Sequence, residues 1–554
     1  MKRLFCLIGF LSCLSLAAQE RFTNPILHLD YSDPDVCRAG EDYYMTASSF
    51  NCFPGLPILH STDLVHWNPV GAALTAYDPV FRDSVQHGNG VWAPAIRYHG
   101  GWFYIYCGDP DRGIFMVRAQ DPSGPWEEPV WLTREKGFID PCPFWDEDGQ
   151  AWLSHGCAGS RAGLKSVLFV APMNAAGTAL TGPSRIVFDG HLTQPTIEGT
   201  KFYKRDGYYY IFAPAGGVST GWQTVLRARH PLGPYEERIV MAWAPGTVNG
   251  PHQGAWVSAP DGTDWFLHFQ DKGAYGRIVH LQPMTWLADG WPIIGEDPDG
   301  DGVGQPVSSG KGPRISSGGT DVVQTEVGPY GIGLEWQYPA IPSPYWHAAL
   351  PDGGVRLYSV QQEALSDNLW NCRNLLLQKF PAEKFSVKAR LVFRPNPQLA
   401  GKGEQAGFLV MGNDYAGLRL TDSDAGAFLE YVECHDAGKG GKEEVIPLET
   451  LTYIFEKQSF PYSSGNVPAV NYPDRAMREI WVRLEVEPRA SEGHVPDAVC
   501  RFSYSLDGKR YRKVAGLFVA RPELWIGAKF GFYCNRPTFK NDAGWLDVED
   551  LQIQ

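Results

Sequence analysis

The sequence predicts an all-β protein: a five-bladed β-propeller followed by a jelly-roll-like β-sandwich. Three observations carry this reading. Turn formers are abundant, with 61 Gly and 43 Pro among 554 residues. Aromatic residues, which suit half-buried strands, make up 13% of the chain. A turn followed by an aromatic strand recurs five times in the first half. With 44% hydrophobic and 20% charged residues the chain can bury a large core. The net charge of −14 excludes a nucleic-acid partner held by bulk positive charge.

The first element reads as a secretory leader over residues 1–18. Lys2 and Arg3 precede an apolar run from Leu4 to Leu16, and Ala17-Ala18 supplies small residues for cleavage near Gln19. This favours a periplasmic or secreted location over a surface lipoprotein anchored at Cys13, because the apolar run continues past that cysteine. No later apolar run is long enough to span a membrane. Nine cysteines follow the leader with no CxxC and no zinc spacing, which reads as mostly buried free thiols with room for one disulfide.

The propeller is assigned to residues 19–300. Its repeat copies begin at Gly40, Gly101, Gly149, Gly207 and Gly262, as in Gly101-Trp102-Phe103-Tyr104-Ile105 and Gly207-Tyr208-Tyr209-Tyr210-Ile211. A second element follows in three copies, as in Asp121-Pro122-Ser123-Gly124-Pro125-Trp126 and His230-Pro231-Leu232-Gly233-Pro234-Tyr235. Two hairpins per repeat make one four-stranded blade, and five blades close a ring. Residues 301–321 read as a linker. Just before and within it, Asp297, Asp299 and Asp301 have the look of a calcium loop but lack its downstream Glu, so a turn cluster is the better reading. From 322 to 554 alternating runs such as Phe385–Val392 and Ile480–Val486 suit the half-buried strands of a sandwich.

In a propeller the innermost strand of each blade starts near the axis, so residues at matching phase converge there. Counting back from each repeat glycine gives Asp33, Ala93 beside Trp92, Asp140, Glu198 and His252. Three of the five are acidic. Cleaving a glycosidic bond needs one carboxylic acid to protonate the leaving oxygen and one carboxylate to activate water or attack directly. A third carboxylate can keep the acid protonated by like-charge repulsion. Each acid taken alone could equally cap a turn or pair with a base, and the three together could cage a calcium ion.

The motifs then carry a resemblance. Asn24-Pro25-Ile26-Leu27 through Ser32-Asp33-Pro34-Asp35, Phe50-Asn51-Cys52-Phe53-Pro54-Gly55, His60 to Trp67, Ile139-Asp140-Pro141 and Ile197-Glu198-Gly199 resemble, in order, the motifs of glycoside hydrolase family 43, in its β-xylosidase and α-L-arabinofuranosidase branch. The resemblance implies Asp33 as general base, Asp140 as pKa modulator and Glu198 as general acid. It also implies inversion at the anomeric carbon. Phe50 and Trp92 resemble the aromatic walls of the terminal sugar subsite, and Arg277 resembles an arginine that donates to sugar hydroxyls. His252 resembles an axial histidine that binds water or a calcium ion. Each of these four has a competing reading as core or surface structure. Cys52 stands where the family's β-xylosidases commonly carry a bulky aromatic, which would alter the subsite wall.

The expectation is therefore an exo-acting inverting glycosidase that needs no cofactor for its chemistry. It would release terminal β-D-xylose or α-L-arabinofuranose from plant cell-wall oligosaccharides such as xylan fragments, with a structural calcium near the axis as an accessory. Two alternatives stand beside it. One is a retaining fructosidase-like propeller hydrolase, although Glu198-Gly199 differs from that family's usual Glu-Cys. The other is a non-catalytic carbohydrate-binding propeller, against which the three intact acids argue.

Overall fold

The computed structural model describes residues 21–243, 250–313, 327–351, 353–362, 368–396, 402–424, 426–451, 454–455, 476–491, 495–539 and 541–554. The leader assigned to residues 1–18 lies outside the described residues, as does 314–321 of the linker.

The first half is a five-bladed propeller. Each blade is a four-stranded antiparallel sheet with its strands in chain order. Blade I comprises Asp35–Ala39, Asp42–Thr46, Gly55–Ser61 and Asn68–Leu74; blade II comprises Trp92–His99, Trp102–Asp109, Gly113–Ala119 and Val130–Thr133. Blade III comprises Phe138–Trp145, Ala151–Cys157, Val167–Met173 and Arg185–Asp189; blade IV comprises Lys201–Arg205, Tyr208–Ala215, Trp222–Ala228 and Glu236–Ala242. Blade V comprises His252–Ser258, Asp264–Asp271, Arg277–Trp286 and Pro292–Ile294. The repeat glycine occupies the first hairpin turn of every blade, with φ between +65° and +84° at Gly40, Gly101, Gly149, Gly207 and Gly262. Those left-handed values are why the turn demands Gly, and why the copies are visible in the sequence.

Packing explains the ring. The buried apolar residues of the propeller fall into clusters between neighbouring blades rather than into one central core. Ile96, Ile105 and Val117 of blade II meet Leu56 and Ile58 of blade I. Tyr104 and Met116 meet Leu153 and Met173 across blades II and III. Leu168 and Val170 meet Ile211 and Leu226 across III and IV. Phe212 and Val225 meet Phe266 and Ile294 across IV and V, and Leu267 and Leu281 meet Val36 and Met45 across V and I. Each fully buried side chain of this size contributes about 1.5–3 kcal/mol of burial, and that burial is shared between neighbouring blades. The last seam is tied by the segment before blade I. Arg21–Thr23 pairs antiparallel with Ser309–Lys311. The Asn24 amide donates to Leu281 O and Val307 O, and its oxygen accepts from Leu281 N–H, all at 2.8 Å.

The second half is a sandwich of a nine-stranded and a seven-stranded sheet. Phe385–Arg394 pairs antiparallel with Ala476–Arg489, opposing Phe385 to Val486 and Leu391 to Ile480. Val387, Ala389, Leu391, Ile480, Val482 and Leu484 face Phe408, Val410, Phe530 and Phe532 of the other sheet in one core. The alternation seen in the sequence is this inward face. Asp297 accepts from the N–H groups of Gly300 and Gly302, and Asp301 from that of Val303, as in a turn, and carboxylate oxygens of Asp297, Asp299 and Asp301 lie within 4.8 Å of one another. All nine cysteines of the described chain are buried and free. Among the described residues no helix is long and apolar enough to cross a membrane.

Candidate active site

The five innermost strands share a device at their start: a β-bulge. From Trp92 to Ala95 three steps oppose two, Gly108 to Tyr106, and Ile139 to Cys142 likewise opposes Gly156 to Ser154. His252 to Gly254 takes two steps against the single step from Phe269 to His268. In blade I the Ser48 N–H bonds Ser32 O while Asp35 pairs with Thr46; in blade IV the Glu198 N–H bonds Pro214 O while Lys201 pairs with Phe212. The bulged residue is left-handed in every blade: Asp33 (φ 54°), Ala93 (34°), Asp140 (57°), Gly199 (66°) and Gln253 (39°). A bulge re-aims side chains at a strand end, and here it turns them toward the axis.

This corrects the phase count at two positions. Asp33, Ala93 and Asp140 occupy the bulge itself. Glu198 and His252 stand one residue before it, where Ser32, Trp92 and Ile139 stand in the other blades. The offset has a steric cause in blade IV. A Cβ on Gly199 would lie 2.9 Å from Pro214 Cδ and from Gln253 Cδ, so the bulge there takes only Gly and the acid moves to the preceding position.

The bulges meet at a pocket of about 270 Å³ lined by Asp33, Asp140, Glu198, Phe50, Trp92, His252, Gln253 and Arg277, among others. Every residue singled out in the sequence for the site is thus brought together. Asp33 is held by three donors: Ser48 Oγ (2.5 Å) and Ser32 Oγ (3.0 Å) to Oδ2, and Arg277 Nη1 (3.4 Å) to Oδ1. Arg277 Nη1 also donates to Ser32 Oγ at 2.7 Å, and Ser48 Oγ accepts from the N–H of Ala93 at 2.7 Å, which joins blades I and II at the base of the pocket.

Asp140 accepts from the Gly199 N–H at 2.7 Å. Burial pushes its carboxyl up to about 7, with the Asp33 charge acting in the same direction and Gly199, Lys201 and Gln253 opposing. Glu198 keeps a third of its side chain open to the pocket. Its carboxyl is pushed up to about 8, first by burial and then by the charges of Asp140 and Asp33, against Arg277 and Lys165. His252 is buried, its Nε2 lies 3.7 Å from Glu198 Oε1, and neither ring nitrogen has a hydrogen-bond partner among the described residues. Burial, and then the Arg277 charge, pull its imidazole down to about 3, so it is neutral.

The walls are aromatic. Phe50 packs with Cys52, Ile526 and Trp92, and the Trp92 indole is fixed by donating to Gly88 O at 2.8 Å. Cys52 is not part of the lining; it sits behind Phe50 with its sulfur 3.0 Å from Lys529 Nζ. The expected change in the wall is therefore a change in its backing.

Of the lining residues that the sequence does not single out, two bear on the chemistry. Gln253 is the bulged residue of blade V; the Pro-His-Gln-Gly run held the signal, but counting from the glycine selected its neighbour. Trp525 comes from the sandwich. Its ring meets Trp92 edge-on at 6.2 Å, and the Arg277 guanidinium lies 5.5 Å from its centroid. Asp30 clamps that loop to the propeller, accepting from the N–H groups of Arg277 and Gly527 at 2.9 Å each. Nothing in the linear order of the chain joins Trp525 to this pocket. The only cue was the apolar triplet Leu524-Trp525-Ile526 set among turn residues.

Comparison with known proteins agrees with this geometry. The family described as glycosyl hydrolases family 43 matches residues 22–292, and a β-xylosidase C-terminal concanavalin A-like domain matches 330–554. The chain is 36% identical to a putative β-xylosidase of Xylanibacter ruminicola over 90% of this chain and 84% of that protein. It is 30% identical to a non-reducing end α-L-arabinofuranosidase of Bacteroides ovatus over 74% and 77% of the two chains. Among solved structures, a xylan β-1,4-xylosidase from Bacillus halodurans superposes with a TM-score of 0.77 over 96% of this chain and all of that one, at 21% identity, which speaks to the fold.

Proposed function

Because the chain belongs to glycosyl hydrolase family 43, a family of inverting glycosidases, we propose that it removes single terminal pentoses from plant cell-wall oligosaccharides, with Glu198 as general acid, Asp33 as general base and Asp140 as the group that tunes the acid. The observation that carries this is the gathering of the three carboxyls in one aromatic-walled pocket, with Glu198 held above the ordinary carboxylate range. A raised acid still carries its proton near neutral pH and can give it to the departing glycosidic oxygen. Asp33, oriented by two serines and Arg277, takes the proton of a water that attacks the anomeric carbon from the opposite face. One displacement then inverts that carbon. Phe50, Trp92 and Trp525 supply flat apolar faces for a sugar ring, and Arg277 supplies a guanidinium donor for its hydroxyls.

The pocket is small and its floor is filled by side chains on the axis, which supports action at a chain end. The relatives' names divide between xyloside and arabinofuranoside, and both are proposed here as substrates. The family assignment sets aside the fructosidase and the non-catalytic readings. The chemistry of the family needs no cofactor. Calcium takes six to eight oxygens; the accessory calcium near the axis stays a proposal, which His252 and the unpartnered Oε1 of Gln253 would face. Among the described residues no three ligating side chains of the metal-binding kinds converge there. The free imidazole nitrogens suit water. A periplasmic or secreted location is proposed from Lys2, Arg3 and the apolar run after them. A panel of nitrophenyl glycosides tests the activity. Turnover of the β-D-xyloside or the α-L-arabinofuranoside is expected, and turnover of neither would defeat the proposal.

A further inference from the structure

Beneath the pocket floor the propeller axis holds charged side chains to which the mechanism above gives no role. Lys201, the first residue of blade IV's inner strand, is completely buried. Its ammonium crosses the axis to blade II, where Nζ donates to Pro94 O at 2.9 Å, and lies 3.8 Å from Asp35 Oδ1 of blade I. Asp35 is equally buried and is already engaged through Oδ2, which accepts from the Ile96 N–H and from Arg97 Nη1 at 2.6 Å each. One carboxylate therefore serves two cations, and the axis carries a surplus positive charge directly under the catalytic acids.

The count of buried charge is informative. The axis and pocket hold four carboxyls, Asp33, Asp35, Asp140 and Glu198, and three basic side chains, Arg97, Arg277 and Lys201. The other titratable neighbours do not alter the sum: Asp30, which accepts from the Arg277 N–H, faces the Lys379 ammonium, and Cys37 and Tyr203, which face Arg97 and Asp35, are kept protonated by burial. Cys107 and Cys142, which face Lys201, and Cys157, which faces Asp140, are thiols that burial keeps protonated. His252 is neutral, and Lys165, toward Glu198, stands in solvent. Unbalanced buried charge is costly. Three cations call for three carboxylates, which leaves one proton among the four acids. Glu198 is the most raised of them and keeps it.

We propose that Lys201 is a positioning residue whose buried ammonium sets the proton count of the catalytic carboxyls at one, so that Asp33 and Asp140 are ionised while Glu198 holds a proton. This rests on the roles proposed above. Without Lys201 neutrality would require a second proton, and the base or the modulator would be silenced at a pH where the wild type works. Without Asp35 neutrality would require none, and the acid would lose its proton early.

The test is the pH profile of kcat/KM on xylobiose, whose unactivated leaving group needs the acid's proton, or on an arabinofuranosyl oligosaccharide if that is the better substrate. Lys201→Met should move both limbs to higher pH by about one unit, roughly a tenfold loss on the acid side with recovery at alkaline pH. Asp35→Asn should move them the other way, and the double variant should return close to wild type. Profiles that stay in place in the single variants, whatever happens to melting temperature or to kcat at the optimum, would overturn the inference. Should Lys201→Met fail to fold, the direction of the Asp35→Asn shift decides alone. A wild type that turns over neither substrate would instead defeat the proposed function.

Discussion

At the scale of single residues, the site separates acids that differ little in the free amino acid. Asp33 accepts from three donors, whereas Glu198 is a third open, has no such donor among the described residues and faces two other carboxyls. Asp33→Ala and Glu198→Ala should each lower kcat/KM by about 10²–10⁴-fold, with circular dichroism unchanged. On substrates with an activated phenol as leaving group the Glu198 variant should recover much of its kcat, because little proton donation is needed; equal losses on all leaving groups would contradict the acid role. The same environment has a price in stability. A carboxyl raised in the folded state favours folding while it is protonated, and that advantage is lost as pH rises from its unfolded value through its folded value. For Glu198 the window runs from the ordinary 4.5 to about 8. Glu198→Gln should therefore leave the melting temperature unchanged near pH 4 and raise it by about 1–2 °C at pH 8, a small effect because the side chain is partly solvated. A gain that is equal at both pH values would show that ionisation is not its cause.

At the scale of elements, the bulge at the start of each inner strand is the unit that builds the site, and it shows what the sequence could and could not disclose. The repeat glycines were legible because a left-handed turn recurs at Gly40, Gly101, Gly149, Gly207 and Gly262. Asp33 and Asp140 were legible because a following proline marks the bulge. In blade V no proline follows, and the glycine spacing points to His252 rather than to Gln253. The loop carrying Trp525 was not legible at all, since its place is set by tertiary bonds from Asp30 and by the seat of the sandwich on the propeller. That loop gives an element-scale expectation. Trp525→Ala should raise KM about tenfold, near 1.4 kcal/mol, with kcat little changed, since the ring flanks the sugar and touches none of the reacting atoms. A fall in kcat at constant KM would place Trp525 in the chemistry instead.

At the scale of the whole molecule, the two halves make one pocket. The propeller supplies every candidate catalytic group, and the sandwich closes one wall while holding the blade I loop from behind. Phe53 and Tyr338 exchange backbone hydrogen bonds at 2.8 Å, and the Asn51 amide donates to Pro339 O at 3.0 Å. His87 in the loop before blade II stacks on Trp370 with ring centroids 3.8 Å apart and bonds to Glu523. Composition and alternation announced two β units, but they could not announce this seam, because its bonds join residues hundreds of positions apart. Ring closure then brings the proposed acid of blade IV and the proposed base of blade I to the lining of one pocket. The most direct measurement is proton NMR of the sugar released in the first moments of hydrolysis of a β-D-xyloside. α-D-xylose appearing first, and only later mutarotating to the mixture, is the expected result; β-D-xylose appearing first would mean a covalent intermediate and would contradict the assignment of Asp33 as a base acting through water.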